Sequence, residues 1–138
     1  MKGKVRSKLV TAVTVMAMCA MMAMSVGAAS NVVVYLPANQ LWSGSYSVSR
    51  SGAYGYVSAE CNSVYPLSGS DNFTQIQVTV VSNNNTTIMD GGYTVLKEGA
   101  GMYRLRIKDG YLNLKTVYFK FRGNSSSAAN AVVSYEGN

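Results

Sequence analysis

Thr74–Val81 reads TQIQVTVV, and its alternation decides the fold class. Ile76, Val78 and Val80 fall on one side and Gln75, Gln77 and Thr79 on the other. A period of two residues is that of a strand with one face buried and one in water. No stretch of a dozen residues downstream of the N-terminal region places apolar side chains at helical spacing, so the pattern extends to the whole of that part of the chain.

The segment MYRLRIKDGYLNLKTV, Met102–Val117, carries the next signal. Asp109 and Gly110 suit the two central positions of a type I′ turn, which predicts a hairpin. In that register Ile107 pairs with Leu112, Leu105 with Leu114 and Tyr103 with Thr116 on one face. Lys108 pairs with Tyr111, Arg106 with Asn113 and Arg104 with Lys115 on the other. The apolar phase then moves from even to odd numbers at Val117, Phe119 and Phe121. A bulge near Lys115 or Thr116, or a chain turning from one sheet to another, produces such a shift.

Working outward, NVVVYLP (Asn31–Pro37) and LWSGSYSVS (Leu41–Ser49) predict two early strands, the second with Trp42, Tyr46 and Val48 on one side. AYGYVSAEC (Ala53–Cys61) predicts a third, TTIMD and YTVLK one or two more, and AVVSYE (Ala131–Glu136) the last. Seven to nine short strands with polar turns about every ten residues predict an all-β protein, an antiparallel β-sandwich of small Greek-key or jelly-roll-like form.

Ahead of these strands, Lys2, Lys4, Arg6 and Lys8 precede the uncharged run Leu9–Met24, followed by SVGAAS. A basic start, an apolar core and small terminal residues make a secretory signal peptide. Residues 1–29 are assigned to it and residues 30–138 to a single secreted domain. The run of 16 uncharged residues is shorter than the roughly 20 of a spanning helix, and Cys19 follows Met18 rather than the small residue of a lipoprotein signal. The pattern suits a bacterial source. Without the signal the chain has 8 basic residues against 6 acidic ones, a net charge of +2 rather than +6.

That small net charge, export and the lack of any known binding motif argue against nucleic acid as a partner. The protein has no His, which removes the Ser-His-Asp arrangement and leaves a cysteine nucleophile without a base. Zinc requires a His/Cys cluster, and Asp71 with Asn72 in SGSDN lack carboxylates at calcium-ligand spacing. Glu60, Glu98 and Glu136 are nominal glycosidase carboxylates that nothing in the sequence pairs. The expectation is a non-catalytic protein with no metal and no cofactor.

Cys61 is the lone thiol of the predicted domain. It shares phase with Gly55, Val57 and Ala59, so it is expected on the inward row as a small hydrophobe, beside space for Trp42. A homodimer through a Cys61 disulfide is the less favoured reading of an odd cysteine in a secreted chain.

Two surfaces suggest binding. The polar side of the predicted hairpin presents Arg104, Arg106, Lys108 and Lys115 beside Tyr111, a basic row suited to an anionic partner. Tyr54 and Tyr56 alternate outward from the row of Cys61. Tyrosine among Ser, Gly and Asn offers large contact area at low entropic cost. The expected function is a binding module at or outside the cell surface, for carbohydrate, cell-wall polymer or a protein. The other reading is a secreted effector, a protease inhibitor or bacteriocin-like factor, using SNNNTTIMDGG or LKEGAGM as a rigid loop.

Overall fold

The computed structural model describes residues 27–52 and 54–138. Residues 1–26 of the predicted signal lie outside the described residues. Among the described residues eight strands form: β1 (Ala28–Leu36), β2 (Tyr46–Ser49), β3 (Tyr56–Pro66), β4 (Gln75–Val81), β5 (Thr94–Lys97), β6 (Tyr103–Arg106), β7 (Thr116–Gly123) and β8 (Ala129–Glu136). Single 3-10 turns at Ala38–Gln40 and Asp109–Tyr111 complete the regular structure.

The strands make two antiparallel four-stranded sheets, ordered β1-β8-β3-β6 and β2-β7-β4-β5. Four of the pairings are nested about the Ser82–Tyr93 connection: β4 with β5, β3 with β6, β2 with β7 and β1 with β8. Almost every chain connection therefore crosses between the sheets.

Alternation explains how the layers close. Ile76, Val78 and Val80 of β4 and Val117, Phe119 and Phe121 of β7 are buried, as are Val57, Ala59 and Cys61 of β3 and Ala131, Val133 and Tyr135 of β8. Phe119 and Tyr135 meet between the sheets with ring centroids 4.8 Å apart, and Tyr46 joins from β2, 6.1 Å from Phe121. The arrangement is sandwich-like, with one apolar interior. Each large apolar side chain buried there contributes about 1.5–3 kcal/mol of transfer free energy.

The hairpin expected at Asp109-Gly110 does not form. β6 pairs with β3, and β7 pairs with β2 and β4. Gly110 has no positive φ, and the chain instead makes consecutive tight turns, with Tyr111 N–H to the Lys108 carbonyl (2.9 Å) and Leu114 N–H to the Tyr111 carbonyl (3.2 Å). The physical reason lies in the phase shift: Leu105 and Ile107 face inward from one sheet, Phe119 and Phe121 from the other. The chain turns between sheets here, and no bulge within one strand is needed.

Two bulges shape the first sheet. β1 shifts register between Ala29 and Val32, and β3 between Cys61 and Ser63, on either side of β8. Asn62 donates to Asn31 Oδ1 (2.9 Å) and to Ser134 Oγ (3.0 Å), and Asn31 N–H donates to the same hydroxyl (3.0 Å). The polar groups displaced by each bulge thus satisfy one another. Upstream of the bulge in β1, Ala28 pairs with Glu136 and Ala29 with Tyr135, so the strand starts ahead of the expected cleavage point at Ser30.

Cys61 is fully buried and unpaired. Its thiol lies 3.5 Å from the Ser63 carbonyl. The neighbouring space is not filled by Trp42, which is half-buried elsewhere. β2 begins only at Tyr46, because Leu41–Ser45 is coil and the phase assumed from Trp42 to Val48 is broken there.

Candidate functional site

Three of the expected surface residues come together on the outer face of the first sheet. β3 pairs Tyr56 with Arg106 and Ser58 with Arg104, so alternation turns Tyr56 and both arginines outward, while Ser58 on the same side is buried, its hydroxyl accepting from Asn138 Nδ2 (3.3 Å). The Arg104 guanidinium lies over the Tyr56 ring, 4.6 Å from its centroid. On from it, the Tyr54 ring stands 5.4 Å from that of Tyr56. Tyr54 is 55% exposed, which leaves ring area open beyond the stack.

The rest of the expected basic row is dispersed. Arg106 is held by Asp90 (2.7 Å) and Asp109 (2.9 Å), both exposed pairs, so its charge is locally balanced. Lys108 Nζ donates to the Thr87 carbonyl (3.4 Å), fastening the end of β6 to the connection after β4. Tyr111 lies in the 3-10 turn, half-buried against the core. Lys115 is not opposite Arg104: its Nζ reaches the loop at Gly52, and its carbonyl accepts from Arg50 N–H (2.7 Å). The row presumed a hairpin, and the crossing between sheets removes it.

A second group lies on the outer face of the other sheet, and the sequence reading missed it. Alternation along β7 turns Tyr118, Lys120 and Arg122 away from the core. Pairing with β4 sets Gln77 opposite Arg122 and Thr79 opposite Lys120. Ser43 is stitched to β7, its N–H donating to the Phe121 carbonyl (2.7 Å) and its hydroxyl accepting from Phe121 N–H (3.0 Å). That clamp delivers Trp42 to Arg122. On the far side, Thr79 Oγ1 donates to the Gly92 carbonyl (2.6 Å), fixing the approach of Tyr93.

The Arg122 guanidinium consequently sits 4.2 Å from the Trp42 ring centroid and 5.1 Å from that of Tyr93. Its Nε donates to Gln77 Oε1 (2.5 Å). Among the described residues its Nη atoms have no hydrogen-bond partner. Tyr93 is 45% exposed. The signal that would have found this group is the outward Lys120–Arg122 pair of β7. Its aromatic neighbours come from coil, where no period places them.

Other expected groups have structural duties. Asp71 accepts from Phe73 N–H (3.1 Å) in a local turn, and Glu98 Oε2 accepts from Val64 N–H (2.8 Å) where β3 resumes after its bulge. Among the described residues no three His, Cys, Asp or Glu side chains gather where a metal would bind, and no helix is long and apolar enough to cross a membrane. The chain matches no protein-family model, and comparison with curated proteins and with solved structures gives no match.

Proposed function

We propose that this protein is a small extracellular binding module without catalysis, its ligand a carbohydrate or cell-wall polymer taken on an open sheet face. The observation that carries the reading is the row Arg104–Tyr56–Tyr54 with its exposed outer ring. A tyrosine face offers a sugar ring apolar contact and the phenol a hydrogen bond at its rim. The Arg104 guanidinium, 4.6 Å from the Tyr56 centroid, steadies that ring, and the Tyr54 ring meets it at 32° with its own surface exposed.

The fold is in keeping with this. Sheet orders β1-β8-β3-β6 and β2-β7-β4-β5 with nested pairing support a jelly-roll reading, an architecture that includes lectin domains. Such an analogy speaks for the scaffold, and the site must carry the function. Export through a cleaved signal accounts for the basic, apolar N-terminal segment.

The test is sedimentation of the purified protein with insoluble polysaccharides and isolated cell walls. Retention on at least one polymer is expected, and Tyr54→Ala lowers it about fivefold or more while the thermal melt is unchanged. Retention on none, or retention that ignores Tyr54→Ala and Arg104→Ala, overturns the site. Export is tested separately by the intact mass of the protein recovered from culture medium, which should begin near Ser30.

A further inference from the structure

The outer face of the β2-β7-β4-β5 sheet is cationic. We infer that it binds an acidic polysaccharide through the carboxylates of its uronic-acid units, with Arg122 as the recognising fork between Trp42 and Tyr93. The inference rests on the saccharide-binding reading of the protein but uses the opposite sheet, so the two can fail separately.

Charge distribution is the first argument. The four strands of this sheet contain Lys97, Lys120 and Arg122 and no acidic residue. All 6 acids of the chain are engaged or placed elsewhere. Asp90 and Asp109 hold Arg106, Asp71 caps Phe73, and Glu98 turns to Val64. Glu60 and Glu136 belong to the other sheet. Lys120 Nζ donates to Asn85 Oδ1 (3.0 Å), a neutral partner that leaves its charge unbalanced, and a face with one sign of charge and no acidic partner attracts the opposite sign.

Geometry narrows the occupant. Arg122 is pinned at Nε by Gln77 and flanked by two rings, so its side chain has already lost the freedom that binding would remove. Its two Nη groups lie in one plane and carry no hydrogen-bond partner among the described residues, the arrangement that meets a planar carboxylate with two parallel hydrogen bonds. The exposed Tyr93 ring borders that position and suits the apolar face of the sugar bearing the carboxylate. Lys120 follows on the same strand face, about 7 Å away by strand rise, for a second acidic unit. An open sheet face accepts a chain running across it.

Binding of polygalacturonate, of neutral dextran and of polyglycerol phosphate is compared by titration calorimetry at low and at raised salt. Polygalacturonate is expected to bind and to weaken with salt. Arg122→Gln should weaken it about tenfold or more, Arg122→Lys should restore only part, and Tyr54→Ala should leave it unchanged. Polygalacturonate that fails to bind, or binds equally well to Arg122→Gln, overturns the inference. Binding of polyglycerol phosphate alone overturns the choice of carboxylate. Should Arg122→Gln melt early, Lys120→Gln and Lys97→Gln together provide the same readout, and salt-dependent affinity that ignores them counts against the site. Dextran binding through Tyr54 without polygalacturonate binding leaves the module standing and removes this inference.

Discussion

Arg50 Nε donates to the carbonyl of Gly137 at 3.2 Å, joining the end of β2 to the C-terminal segment 87 residues further along the chain. The same guanidinium donates from Nη1 to the carbonyls of Leu112 (3.0 Å) and Leu114 (3.4 Å) and from Nη2 to that of Tyr54. Arg50 is only 4% exposed, and burial lowers its pKa from the ordinary value. Backbone carbonyl dipoles solvate it in place of water. The loop that carries Tyr54, the turn between β6 and β7 and the chain end are thus held by one side chain.

Replacing it should therefore cost far more than an exposed arginine would. Arg50→Met leaves several inward carbonyls without donors, a loss on the order of 3 kcal/mol, or a fall of about 10 °C in melting temperature for a domain of this size. Arg50→Lys keeps the charge but not the fork and should recover only part. Urea denaturation of both variants checks this, and a Met variant as stable as the parent would remove Arg50 as the fastener.

Gly137 makes the same junction sensitive from the other side. A Cβ there would lie 1.9 Å from the Ser49 carbonyl oxygen and 2.8 Å from its carbon, both backbone atoms that cannot step aside cheaply. Gly137→Ala is expected to cost several kcal/mol, in the range of other severe packing clashes. Gly110→Ala is the control: nothing lies within 4 Å of its Cβ, and its effect should stay within about 0.5 kcal/mol. Paired thermal melts decide between them.

Glu98 gives a prediction that separates charge from hydrogen bonding. Its carboxylate is the acceptor for Val64 N–H after the β3 bulge, while Glu98 N–H and Gly99 N–H donate to the carbonyls of Thr74 and Cys61. Glu98→Ala strands a buried N–H and should destabilise by about 1–3 kcal/mol. Glu98→Gln keeps an oxygen in place and should restore most of that. Equal losses in the two variants, by urea titration, would show that the negative charge matters rather than the bond.

The parts of this structure that were legible in the sequence are those where one face alone meets water. The inward rows Ile76, Val78, Val80 and Val57, Ala59, Cys61 follow from that physical condition, whereas the burial of Thr79, Val81 and Ser58 on the other faces does not. Asp109-Gly110 misled because turn propensity is local, worth a fraction of what burying Leu105, Ile107, Phe119 and Phe121 contributes. Those four face a shared core only if the chain leaves one sheet for the other. The Arg122 group stayed hidden because Gln77 lies 45 residues away and Trp42 and Tyr93 reach it from coil. Lys115 was misplaced by the same turn that misplaced the hairpin.

Cys61 carries the last prediction. Burial, reinforced by the negative charges of Glu98 and Glu60, pushes its thiol from an ordinary 9.0 up to about 12. Below pH 9 both folded and unfolded chains keep the proton and the thiol has no effect on stability. Between pH 9 and about 12 the unfolded chain releases it while the folded chain retains it, so stability falls by about 1.4 kcal/mol per pH unit. Tyr135, raised by burial and then by Tyr46 to about 12, adds a decline in the same direction above pH 10. Urea midpoints at pH 7, 9, 10 and 11 should show the loss beginning near pH 9 in the parent and near pH 10 in Cys61→Ala. In the same preparations the thiol should alkylate only after denaturation, and the native protein should keep one hydrodynamic size with or without reductant. Rapid native alkylation, or a dimer that reductant dissolves, would place Cys61 at a surface and contradict the buried strand position found for it.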